Sequence, residues 1–172
     1  MPVYHFTLHA YRSWSPAHRR GYTQRGKGYQ PPDPKKAEEY DERAKQEKVI
    51  FDILIQEVLI LGAEDICRQR GWRLHGVGTE PSHVHMVVSW KIYLPWRDVM
   101  EKLKNVLSYL LGRATEQKGR HWFVAGGSRK RVENSEHLKY LLDEYLPDHP
   151  GLYWREGMPL PEDRTGILNS RE

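Results

Sequence analysis

Residues 81–88 read Pro-Ser-His-Val-His-Met-Val-Val, and His83 and His85 are the side chains best placed by type and spacing to do chemistry. A run so rich in apolar and β-branched residues predicts a strand, in which alternate side chains share a face. His83 and His85 then point one way, Val84 and Met86 the other. Two neighbouring imidazoles can hold one metal ion if the rest of the chain supplies what such a site needs. The same spacing also suits two half-buried polar residues on an edge strand, so the pair by itself leaves both readings open.

The charge pattern points to a polyanionic partner. The chain has 172 residues and a formal net charge of +4, and the excess base is local. Residues 11–36 carry Arg12, Arg19, Arg20, Arg25, Lys27, Lys35 and Lys36 against the single acid Asp33, and Arg113, Lys118, Arg120, Arg129, Lys130 and Arg131 have only Glu116 among them. Tyr11, Trp14, Tyr22, Tyr29, Trp122 and Phe123 are interleaved with these cations. Cations meet phosphates while aromatic faces stack on unpaired bases, so the pattern suits nucleic acid, although a plain solvated basic surface shares it. The lone Cys67 excludes an internal disulfide and a cysteine-rich zinc site. No leader pattern or bilayer-length apolar run is visible, so a cytoplasmic protein without membrane contact is expected.

The elements that must position the histidines can be read in order. Residues 3–12 predict a strand with Tyr4, Phe6, Leu8 and Ala10 toward the core and Val3, His5, Thr7 and His9 on the opposite face. Residues 13–34, rich in glycine and proline, predict a long basic loop. One helix is expected from Asp33 or Pro34 to Arg70, its second half carrying Val49, Ile50, Ile53, Leu54, Val58 and Leu61, with Gly71 as its stop. A strand over 72–77 and a turn over 79–82 place the histidine strand beside an antiparallel neighbour. A helix from Pro95 and Trp96 to Gly112 shows the stripe Val99, Leu103, Val106, Leu107, Leu110, Leu111. After an extended segment at 121–124 and a turn at 126–128, a last helix opens at Ser135, with Leu138, Leu141, Leu142, Tyr145 and Leu146 on one face and Pro147 ending or kinking it. Beyond Gly151 no periodicity remains. The order implies one α+β domain over 1–154, an antiparallel sheet with helices packed on one face in the ferredoxin-like manner, and an irregular tail over 155–172.

Taken together, these features resemble the HUH-type single-tyrosine transposases of the insertion-sequence and REP-associated group. The resemblance runs from about Val3 to Trp154. It rests on Tyr4-His5-Phe6-Thr7-Leu8 with Arg12-Ser13-Trp14, on Gly71-Trp72-Arg73-Leu74 before Pro81-Ser82-His83-Val84-His85, on Val99-Met100-Glu101-Lys102-Leu103-Lys104, and on Trp122 with Gly126-Gly127-Ser128. Ser82 stands where the family's motif usually has Asn. The resemblance implies a divalent cation, Mg²⁺ or Mn²⁺, held by His83, His85 and a third ligand. It also implies a tyrosine that attacks single-stranded DNA to leave a 5′-phosphotyrosine link and a free 3′-hydroxyl. By the family's pattern on the last helix, Leu142, Tyr145, Leu146 and His149 make Tyr145 the nucleophile and His149 the third ligand; Tyr140 with Glu144 is the second choice. Three imidazoles would favour manganese or a softer ion over an oxygen site's preference. A homodimer that recognises DNA hairpins through Arg12, Arg19, Arg20, Arg25, Lys104, Arg129, Lys130 and Arg131 is implied as well. Two rivals stand beside this reading: a DNA-binding relative that has lost catalysis, and a phosphoesterase using His83 and His85 directly as acid and base.

Overall fold

The computed structural model describes residues 1–24 and 26–168. In chain order the elements are β1 (Val3–His9), β2 (Tyr22–Gln24), β3 (Gly28–Gln30), α1 (Pro34–Glu42), α2 (Ile53–Arg70), β4 (Arg73–Glu80), β5 (His83–Ser89), α3 (Trp96–Ala114), β6 (Ser128–Arg131), α4 (Ser135–Tyr140), a π-helical turn (Leu141–Tyr145) and β7 (Tyr153–Arg155). Five strands form one sheet in the order β6-β1-β5-β4-β7, with antiparallel pairing throughout. The chain order β1-α2-β4-β5-α3-β6 on that sheet is the ferredoxin-like arrangement.

Strand alternation sorts the side chains as expected. Phe6, Leu8 and Ala10 of the first strand and its continuation join Val84, Met86 and Val88 of β5 in the main core beneath α2 and α3. Along α3, Val99, Leu103, Leu107, Leu110 and Leu111 are fully buried, each worth roughly 1.5–3 kcal/mol of transfer free energy against exposure. The last helical segment lies across the opposite face of the sheet, where Leu141 and Leu146 form a second, smaller cluster with Val87 and Val132. No helix is long and apolar enough to cross a membrane.

Several expectations are corrected. The single helix over 34–70 is two helices, because Val49 and Phe51 between them are plugged into the core. Their amides donate to the carbonyls of Tyr11 and Pro81 rather than to a helix. Asp52 then caps α2 by accepting from the Ile55 amide, and Gly71 ends it in the left-handed region at φ 65°. The 13–34 loop contains the β2–β3 hairpin. The strand expected over 72–77 runs over Arg73–Glu80, and the segment beyond Gly151 supplies the edge strand β7, which pairs with β4. The described residues after β7, 156–168, carry no regular element, yet Ile167 packs in the main core.

Candidate metal centre

The sheet register assembles the site. Thr7 lies opposite His85 and His9 opposite His83 on the β1 side, while Gly78 and Glu80 lie opposite the same two histidines on the β4 side. Directly paired residues share a face, so His5, Thr7, His9, Gly76, Gly78, Glu80, His83 and His85 form the floor on which the last helical segment rests. One ring nitrogen each from His83, His85 and His149 lie within 4.8 Å of one another, the one such trio among the described residues.

Each of the three rings is held by its other nitrogen. His83 Nδ1 lies 2.7 Å from Glu80 Oε1 and 2.8 Å from Ser82 Oγ, and Ser82 Oγ also donates to Glu80. His149 Nδ1 donates to the Tyr145 carbonyl at 2.8 Å. A carboxylate and a carbonyl only accept, so these two rings carry their proton on Nδ1 and a lone pair on Nε2. His85 Nδ1 is engaged by His5 Nε2 at 2.9 Å and Thr7 Oγ1 at 3.0 Å. Its Nε2 is buried and has no hydrogen-bond partner. Leaving such a group unmet costs about 1–3 kcal/mol, and a cation between the three rings would satisfy it; the donor set therefore fits a divalent metal.

The electrostatics fit as well. Burial pushes the His85 pKa down to about 2, with His83, His5 and His149 adding to the shift. Burial brings His83 down to about 4 against the raising influence of Glu80. Both rings are therefore neutral at physiological pH, the form that ligates.

The tyrosine arrives by an unexpected route. Instead of a continuous α-helix, the Leu146 amide donates to the Leu141 carbonyl five residues back at 2.9 Å, a π-helical register of the kind that recurs at functional sites. Pro147 has no N–H to continue it, and the Leu142 carbonyl left over accepts the Tyr153 hydroxyl at 2.6 Å. Pro147 thus widens the turn without separating Tyr145 from His149. Gly76 and Gly78 let this segment approach: a Cβ on Gly76 would lie 2.7 Å from Leu142 Cδ2, and one on Gly78 2.9 Å from the Leu146 carbonyl oxygen.

The Tyr145 ring centre sits 5.3 Å from that of His85, 4.9 Å from His149 and 5.4 Å from His5. Burial raises the pKa of its hydroxyl, which is protonated at neutral pH. Tyr140 is 48% exposed and, among the described residues, meets the group through Tyr145, ring centres 6.2 Å apart. Glu144 is exposed and lies outside the trio.

The sequence-derived cations are distributed unevenly. Arg19 and Arg20 line a cleft of about 310 Å³ that His83 also lines. Lys130, opposite His5, shares the site face, whereas Arg129 and Arg131, opposite Phe6 and Tyr4, lie on the other; Arg129 is stacked 4.5 Å over Trp96. Arg12 pairs with Asp41 and donates to the Gln46 carbonyl. Lys104 donates to the carbonyls of Val124 and Gly126 at 2.6 and 2.7 Å. Arg25 lies outside the described residues.

Sequence reasoning missed His5, Thr7 and Glu80 as supports for the ligating rings. The signal was the alternation itself, since His5, Thr7 and His9 face away from the core set and meet the histidine strand once the two are paired.

Comparison with known proteins places this geometry in context. The family model for IS200-like transposases matches residues 43–128, half of the chain. The fold is similar to that of the REP-associated tyrosine transposase solved bound to a REP hairpin, with a TM-score of 0.50 and 10% sequence identity. That alignment covers 84% of this chain and 64% of that one, so this chain spans somewhat under two thirds of that protein. A candidate transposase from Deinococcus radiodurans R1 aligns with a TM-score of 0.46 and 15% identity, over 85% of this chain and 88% of that one. No curated protein matches the sequence.

Proposed function

This chain belongs to the IS200-like transposase family, and from that premise we infer that it nicks and rejoins single-stranded DNA, with Tyr145 as nucleophile and His83, His85 and His149 as ligands of a divalent cation. One observation carries the reading: three histidine nitrogens converge within 4.8 Å, and the ring of a single tyrosine stands beside two of those three rings. A Mg²⁺ or Mn²⁺ ion held there would draw charge from a scissile phosphate.

The chain's own residues do the rest. Glu80 and Ser82 orient His83, Thr7 and His5 orient His85, and the Tyr145 carbonyl orients His149, so that the ligating nitrogens are pre-set. The Tyr145 oxygen attacks phosphorus and gives its proton to water. A tyrosyl O–P bond forms, the P–O3′ bond breaks, and the departing oxygen takes up a proton as a free 3′-hydroxyl. The covalent link conserves the phosphodiester for rejoining. A metal-free role in which one strand histidine acts as a general acid is disfavoured, because burial holds both rings in the neutral form rather than as imidazolium at neutral pH.

Arg19, Arg20 and Lys130, on or beside the site face, are the cations best placed to meet a DNA hairpin. The structural neighbour was solved on such a hairpin, and a homodimer is the expected assembly.

The test is an incubation with Mn²⁺ and end-labelled single strands containing hairpins. Wild type and Tyr140→Phe should give an adduct that survives denaturation, and Tyr145→Phe should give none. An adduct undiminished in Tyr145→Phe would refute the assignment. Absence of any adduct from a wild-type chain that binds Mn²⁺ and DNA would instead identify a non-catalytic DNA-binding relative.

A further inference from the structure

The 13–34 insert does more than bring positive charge. Trp14, 49% exposed, borders the cleft of about 310 Å³ shared by Arg19, Arg20 and His83, and also a second cleft of about 390 Å³ shared by Arg20, Tyr22 and Tyr29. With His9, Ser13 and Arg20, which also line both, it borders the edge of the candidate metal centre on one side and the β2–β3 hairpin on the other. The His18 ring, which also lines the first cleft, lies against it at a 33° tilt with ring centres 4.2 Å apart. The first cleft, at about 310 Å³, lies at the small end of the range of ligand sites. Its one acid, Glu80, is already tied to His83 and Ser82.

A half-exposed indole with a second aromatic ring beside it, next to two arginines that have no acidic partner among the described residues, is the combination that binds single strands: the ring takes a base by its π-face and the guanidinium groups take the flanking phosphates. We propose that Trp14 is the platform for the unpaired nucleobase next to the scissile phosphate, with Arg19 and Arg20 on the adjoining phosphates. The insert thereby fixes which nucleotide of the strand lies over His83. The proposal rests on the DNA-cleaving reading of the metal centre and adds to it the place where the substrate strand is held.

The experiment uses the full chain with ten-nucleotide single strands of mixed sequence, each carrying one 2-aminopurine, at low salt and with Mn²⁺. In wild type, fluorescence should be quenched by stacking. Trp14→Ala should lose that quenching and bind about tenfold to a hundredfold more weakly, while Trp14→Phe keeps most of both. The Arg19→Ala, Arg20→Ala double variant should keep the quenching at saturating DNA but show a shallower dependence of affinity on salt. Mn²⁺ affinity measured by calorimetry should be unchanged in all three. Quenching and affinity in Trp14→Ala equal to wild type would overturn the platform and leave the metal centre standing. A wild-type chain that binds Mn²⁺ but no strand would overturn both readings together.

Discussion

His149 Nδ1 donates to the carbonyl of Tyr145 across 2.8 Å, so the proposed nucleophile and the proposed third ligand are tied through the backbone of one turn. That bond replaces an amide donor, since the His149 amide turns instead to the Leu146 carbonyl. Anything that shifts this turn on the sheet moves both groups together.

Gly78 is where that coupling can be tested. A Cβ there would stand 2.9 Å from the Leu146 carbonyl oxygen and 3.2 Å from Leu146 Cδ2, both in a fully buried spot. Gly78→Ala should cost about 1–3 kcal/mol in urea unfolding and weaken Mn²⁺ binding by displacing His149. An unchanged midpoint would show that the segment is not seated on the glycine.

Tyr153 supports the same turn from the edge strand by donating to the Leu142 carbonyl. Tyr153→Phe should cost about 1 kcal/mol, the low end for an orphaned acceptor because the residue is only half-buried and water can reach it. Amide hydrogen exchange in the 141–149 segment should rise in the variant, and no rise would mean that the turn holds without the hydroxyl.

Glu80 meets the proposed metal centre by holding the His83 ring. Removing its carboxylate in Glu80→Ala should reduce Mn²⁺ affinity by about tenfold to a hundredfold with little change in thermal midpoint, while Glu80→Gln, which keeps an acceptor oxygen, should lose less. Equal affinities by calorimetry in all three chains would remove Glu80 from the site.

The metal-free chain should be acid-sensitive in a defined window. His5 and His83 are pushed to about 4 and His85 to about 2, burial being the main cause in each. The folded values lie below the ordinary 6.5, so the unfolded chain takes up protons that the fold refuses. The contribution to stability is present above pH 6.5 and is lost as pH falls below 6.5, toward 4 for His5 and His83 and toward 2 for His85. Melting curves recorded with a chelator should show the midpoint falling across that window, less steeply in His5→Asn. A flat profile would contradict the burial of these rings.

How much of this was readable from the residues differs from element to element. Asp33, Gly71, the α3 stripe and the alternation of β1 and β5 were legible because each depends on neighbours within a turn or on a period of two. The break between α1 and α2 was not. Its charged residues suit a helix, and only the places waiting for Val49 and Phe51 in the core, with backbone acceptors at Tyr11 and Pro81, pull the chain out of one. Edge strand β7 was likewise invisible, since three residues carry no usable period and β4 supplies the partner.

For the candidate site the division is sharper. The sequence by itself determined that His83 and His85 share a face, because strand geometry allows nothing else, and the order of motifs brought Tyr145 and His149 into consideration. Tertiary structure alone decided that Tyr145 rather than Tyr140 faces the histidines and that Thr7, His5 and Glu80 hold the rings. Those relations depend on strand register, on two glycines that let a helix settle, and on a π-helical turn whose spare carbonyl is met by Tyr153. Each is a contact between segments far apart in the chain, where no local periodicity can signal it.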